Sequence, residues 1–119
     1  MSEQYIVTRI DKASIVEFRI ASLMDPLILM TVEKDLERLV DEEDRRILVL
    51  DFSNVQFVSS QAIGIVISLH KKLNALPRSK FLLCGLNQKL IELMKITRLD
   101  KVLTVKPSQK EAINSLAMV

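Results

Sequence analysis

The sequence predicts an α/β fold: a mostly parallel mixed sheet with an N-terminal β-hairpin and about four packed helices. From Pro26 onward, apolar runs of strand length alternate with longer runs whose apolar residues recur at helical spacing. That alternation calls for parallel strands joined by helical crossovers. Ahead of it stand two runs rich in β-branched residues, separated by only a few positions, which is the pattern of a hairpin.

In chain order, "YIVTRI" over 5–10 and "SIVEFRI" over 14–20 form the hairpin around Asp11, Lys12 and Ala13. Val16, Phe18 and Ile20 alternate with Ile15, Glu17 and Arg19, so one covered face is expected. Asp25 supplies a side-chain cap and Pro26 a preset φ, and Leu29, Val32, Leu36, Leu39 and Val40 follow at helical spacing; a helix over 26–41 results. "ILVLDF" over 47–52 is almost continuously apolar, as a central strand covered on both faces should be. A second helix carries a core stripe of Ala62, Val66, Leu69, Leu73 and Leu76 and stops at Pro77. "KFLLC" over 80–84 reads as a strand, "NQKLIELMKITRL" as a helix capped by Asn87, "KVLTV" over 101–105 as a short strand, and "SQKEAINSLAMV" as a helix capped by Ser108. The expected order is ββαβαβαβα in a single domain over 1–119.

A chain of 119 residues with 49% hydrophobic and 27% charged residues can build one sizeable core. Net charge is +2 with both signs mixed along the chain, and aromatic residues are few, so no basic stripe with stacking platforms points to nucleic acid. The start "MSEQYIVTRID" is too polar for a signal peptide, and every apolar run is shorter than the roughly 18 residues that suggest a span. A cytoplasmic protein without membrane insertion is expected.

Catalytic and metal chemistry finds few handles. His70 is the only histidine and has no second histidine or nearby cysteine for a common zinc motif. Cys84, the only cysteine, lies inside an apolar strand and should be buried. The carboxylates of "DEEDRR" over 41–46 lack the alternating ligands and central glycine of a calcium loop, which makes a solvated helix end the expectation. Gly64 and Gly85 are the only glycines, too few for a phosphate loop or a dinucleotide turn. No cofactor, no metal and no catalytic residue are expected.

The remaining feature is "FVSSQAIG", Phe57 to Gly64, at the junction of the central strand and the second helix. A serine there caps the helix by accepting from an orphan backbone N–H. A phosphoryl group there would meet the positive end of the helix while adding nearly two negative charges to any docking surface. At about 100° per residue, Ser60, Ile63, Ile67 and Lys71 share a face turned away from the core stripe. Two alternatives follow: neighbouring structure covers Ile63 and Ile67, or they belong to a protein-docking patch.

"VLDFSNVQFVSSQAIGIVISLHKKL" followed by "FLLCGLNQKLIELMKITRLDKVLTV" resembles the STAS domain of bacterial anti-sigma factor antagonists, most specifically at Asp51, the Val55–Gly64 junction and the Gly85–Val105 segment. The resemblance implies a non-enzymatic cytoplasmic protein that docks a switch kinase or anti-sigma factor around the second helix and is released by phosphorylation there. Together with the helical face read above, this makes Ser60, Gln61, Ile63, Ile67 and Lys71 the expected partner-binding residues, with Asp51 and Gly64 structural at the junction. The family junction, approximately D-S-S/T-G-L/I-G, aligns its acceptor with Gln61, which cannot be phosphorylated. Either Ser60 or Ser59 takes over through a shifted junction, or binding is constitutive. A cytoplasmic STAS accessory subunit of a lipid-transport ATPase is the alternative function, and a small enzyme using Asp51 and the serines a third.

Overall fold

The computed structural model describes residues 4–117. Strands β1 (Tyr5–Ile10) and β2 (Ala13–Phe18) form the expected antiparallel hairpin, with Tyr5 opposite Phe18 and Ile10 opposite Ala13. A short strand β3 (Ser22–Leu23) leads into helix α1 (Pro26–Asp41), whose bounds are those the cap and spacing predict. Asp25 accepts from the Leu27 N–H at 2.9 Å, and Leu29, Val32, Leu36 and Val40 form the buried stripe. Then come β4 (Ile47–Asp51), β5 (Phe57–Val58), α2 (Ser60–Asn74), β6 (Lys80–Cys84), α3 (Gln88–Ile96), a short 3-10 turn (Leu99–Lys101), β7 (Thr104–Lys106) and α4 (Gln109–Ala117). Met118 and Val119, the end of the fourth expected helix, lie outside the described residues.

The main sheet has the order β1-β2-β4-β6-β7, with β4 at its centre and every pairing after the hairpin parallel. Each crossover through α1, α2 and α3 steps one strand in the same direction. Crossovers of one hand that step the same way put their helices on one face. Accordingly, Val16, Phe18, Leu48, Leu50, Phe81 and Leu83 pack with α1, α2 and α3, whereas Ala13, Ile15, Val49, Leu82 and Cys84 face α4 through Ala112, Ile113 and Leu116. Leu48, Val49 and Leu50 are almost wholly excluded from solvent, each contributing on the order of 2 kcal/mol of burial.

Several expectations need correction. β2 is covered on both faces, because α4 returns over the side of the sheet opposite the other helices; Ile15 is as buried as Val16. The stripe of α2 includes Ile65, while Leu76 lies beyond the helix end and is half-buried against the core. Helix α3 stops at Ile96 rather than continuing through "TRL": the Thr97 hydroxyl donates to the Leu93 carbonyl at 2.7 Å, and Arg98 turns into the left-handed region at φ 61°. Leu103 then enters the core, so the last strand begins at Thr104 and not at Lys101. Finally, β3 and β5 form a two-stranded parallel sheet with no counterpart in the local sequence pattern.

Candidate protein-docking site

The junction after β4 is held by one local turn bond and several long-range hydrogen bonds. Phe52 N–H donates to the Cys84 carbonyl and Val55 N–H to the Phe52 carbonyl, both at 2.9 Å. Asn54 Nδ2 donates to the Phe18 carbonyl at 3.1 Å. Gln56 N–H reaches the Ala21 carbonyl at 2.7 Å, and Ser59 N–H the Leu23 carbonyl at 3.1 Å, tying the chain to β3. These bonds aim the start of α2 out of the carboxyl end of the sheet.

The two serines have different tasks. Ser59 is the N-cap, in extended backbone, and its Oγ accepts from the Ala62 N–H at 3.2 Å. Ser60 is the first helical residue and is exposed, as is Gln61. Replacing Ser59 by alanine is expected to cost about 1 kcal/mol in a denaturant melt, whereas Ser60→Ala should leave stability unchanged within about 0.5 kcal/mol. Equal losses in both variants would show that the cap is shared.

Both isoleucines occupy intermediate positions. Ile63 is half-buried and lines an apolar cavity of about 30 Å³ with Leu86, Leu90, Leu93 and Met94, beneath α3. Ile67 is half-buried farther along the helix. The solvent face of α2 is instead defined by Ser60, Gln61, Gly64, Ser68 and Lys71, all exposed. Lys71 stands about 16 Å along the helix axis from Ser60. An added Cβ at Gly64 meets nothing within 4 Å, so neither space nor backbone within this chain requires glycine there. The structural task expected of Gly64 is therefore not one of internal packing.

Sequence reasoning missed the apolar rim of this site. Phe57 is 46% exposed and lies under Lys89, whose Nζ is 4.8 Å from the ring centroid. Met24 and Leu27, next to the strand that pairs with Phe57 and Val58, are 51% and 74% exposed. Phe57 lies within the Phe57–Gly64 junction, but its direction depends on the β3–β5 pairing.

Behind the junction sits a polar knot. Asp51 is buried at the end of β4; its Oδ1 accepts from the Ser53 N–H at 2.9 Å and from the Ser53 hydroxyl, and its Oδ2 accepts from Gln109 Nε2 at 2.8 Å. It thus fastens the junction loop to the start of α4, and neither Ser59 nor Ser60 bonds to it. Cys84 is fully buried opposite Asp51, and burial, then the negative charge of Asp51, pushes its thiol up to about 12. The thiolate form is suppressed, so this cysteine is a packing group. His70 lies half-buried on α2 beside Phe81, with ring centroids 6.4 Å apart. Among the described residues no group of three or more His, Cys, Asp or Glu side chains could hold a metal, and no helix is long and apolar enough to cross a membrane.

The class these features define is a small mixed α/β domain with three helices on one sheet face, one on the other, and a capped helix start at the carboxyl end of the sheet. The STAS domain family model matches residues 5–112, and the chain belongs to the STAS domain family. Among solved structures, an anti-sigma factor antagonist from Mycobacterium paratuberculosis superposes with a TM-score of 0.81 at 22% identity, covering 93% of this chain and 91% of the other. A STAS domain protein from Planctomyces limnophilus gives 0.81 at 19% identity, covering 97% of each. The anti-sigma factor antagonist SpoIIAA in its unphosphorylated form gives 0.76 at 10% identity, covering 97% and 99%. At these identities the likeness establishes the shared fold.

Proposed function

We propose that this protein is a non-enzymatic regulatory binder of the anti-sigma factor antagonist type, docking a switch kinase or anti-sigma factor in the cytoplasm through the N-terminal part of α2. The observation that carries this reading is the solvent face of α2, where Ser60, Gln61 and Gly64 lie open, preceded in the chain by exposed Phe57 of β5 and by a junction fixed by hydrogen bonds. SpoIIAA, which shares the fold, has been solved in both phosphorylated and unphosphorylated forms. In the present chain Ser59 is engaged as the cap, so Ser60 is the hydroxyl available to a kinase, one position before Gln61. Phosphate at Ser60 would be favoured by the helix N-terminus and would repel a partner fitted to the neutral surface. The occupied oxygens of Asp51 weigh against the small-enzyme reading.

Affinity capture from native cytoplasmic and membrane extracts, with retained proteins identified by mass spectrometry, tests the docking face. Gly64→Arg is the informative variant because it alters only open surface. It is expected to lose a switch kinase or anti-sigma factor that the wild type retains, while gaining about 0.5–1 kcal/mol in stability from removal of a helix-interior glycine. Ile63→Asp should lose the same partner, at a cost in stability because Ile63 contacts the core. Retention of the partner by Gly64→Arg would remove α2 as the docking element. In the same assay, incubation with that kinase and ATP should phosphorylate wild type and Ser59→Ala but not Ser60→Ala. Enrichment of lipid-transport ATPase subunits instead would favour the accessory-subunit alternative, which Gln61 at the usual acceptor position supports.

A further inference from the structure

A second concave surface lies at the other end of the parallel strands. It is a cleft of about 540 Å³, within the range of small-molecule sites, bounded by Arg9, Lys12, Arg45, Arg46, Arg78 and Lys80. These residues come from the β1–β2 hairpin around its turn, the loop before β4, and the loop leading into β6 together with that strand's first residue. Only two carboxylates line it: Glu43 pairs with Arg45 at 3.1 Å and Asp44 with Arg46 at 2.8 Å. Arg45 also donates to Ser14 Oγ at 3.3 Å, and Arg46 to the Pro77 carbonyl at 2.8 Å. Those two guanidinium groups are thus held in place. Arg9, Lys12, Arg78 and Lys80 form no ion pair with another described residue. Six cations against two carboxylates leave an excess of four positive charges in one cleft, on a chain whose net charge is +2.

We propose that this cleft binds a multiply phosphorylated group. Packing four uncompensated cations around a concavity raises the local potential, because low-dielectric walls focus the field. Such a field attracts an anion of several charges more strongly than a monovalent one. Arginine forks match phosphate oxygens in pairs, and lysines supply additional point charges. The site lies at the amino ends of β4 and β6, whereas the start of α2 follows the carboxyl end of β4. It is therefore separate from the docking face, and occupancy of one does not sterically exclude the other.

The test is isothermal titration of the full chain with sodium tripolyphosphate, at low salt and at about 150 mM salt, where exposed charges are screened beyond about 8 Å. Removing two contacts with the double variant Arg9→Gln/Lys12→Gln is expected to weaken binding at least about tenfold, with an unchanged thermal melt. The control Arg19→Gln/Lys34→Gln removes the same charge from exposed positions outside the cleft and should change binding less than about twofold. Absence of binding by the wild type, or equal weakening by both double variants, would overturn the proposal. Cosedimentation with vesicles containing phosphatidylinositol bisphosphate, lost in Arg9→Gln/Lys12→Gln and absent with phosphatidylcholine alone, would identify a lipid headgroup as the source. Binding of tripolyphosphate without cosedimentation would identify a free phosphorylated ligand.

Discussion

Replacing Gly85 by alanine is expected to lower the unfolding free energy by about 3 kcal/mol, although the change adds one methyl group. Gly85 follows β6 with φ at 72°, a conformation that costs an L-residue about 1–2 kcal/mol. A Cβ there would also lie 2.8 Å from Asp51 Oδ1 and 2.9 Å from the Ser53 nitrogen. To make room, the Asp51–Ser53 bonds must lengthen, and a buried carboxylate that loses hydrogen bonds accounts for the remaining loss. In a thermal melt the effect should reach on the order of 10 °C for a chain of this size. Gly64→Ala is the matched control: the same substitution at an open helical position should stabilise by about 0.5–1 kcal/mol. Opposite signs at the two glycines would confirm that backbone sign and space, rather than glycine content, decide the outcome. A loss below about 1 kcal/mol at Gly85 would show that the junction loop yields without breaking its bonds.

The same contrast separates what was legible in the sequence from what was not. Helix α1 was readable to the residue, because Asp25, Pro26 and the Leu29–Val40 spacing are local signals. The central place of β4 followed from its continuous apolar run. The pairing of Ser22 with Phe57 was not readable, since a two-residue strand has no periodicity and its partner is distant in the chain. Nor was the covering of β2 on its second face, which depends on where α4 packs after the last strand.

At the site, the cap was foreseeable but its assignment to Ser59 depended on where the β3–β5 pairing ends and the helix begins. Helical projection placed Ile63 and Ile67 off the main stripe, and both are indeed half-buried. It could not place Gly64 in open space, or show Phe57 exposed, because those facts depend on which surfaces the packed elements leave uncovered. The basic cleft is the extreme case. Its cations look evenly mixed with acids along the chain, and only the return of three connections to one end of the sheet collects them.

The interior half of the Asp51 knot makes a prediction about alkaline pH. An ordinary thiol deprotonates near about 8.5, whereas Cys84 in the folded protein holds its proton to about 12, first because it is buried and then because Asp51 is beside it. Between those values the unfolded chain carries fewer protons at this position than the folded chain. Linkage then requires stability to fall as pH rises, by up to about 1.4 kcal/mol per pH unit from this group. Below about 8.5 both states are protonated and the contribution is intact. Tyr5 acts in the same direction at higher pH, since burial and then its bond to Asp35 raise its hydroxyl. A comparison with Cys84→Ala isolates the thiol. Near pH 8 the wild type should be the more stable by about 1 kcal/mol, because alanine leaves a small void. As pH approaches about 11 the order should reverse, since the variant lacks the titrating group. Denaturant melts across that window read the crossing directly. Parallel curves would mean that the thiol titrates alike in both states, and would separate its packing from any charge effect of Asp51. In the folded wild type a thiol reagent should modify Cys84 only at the rate of opening, because neither access nor thiolate is available until β6 parts from α4.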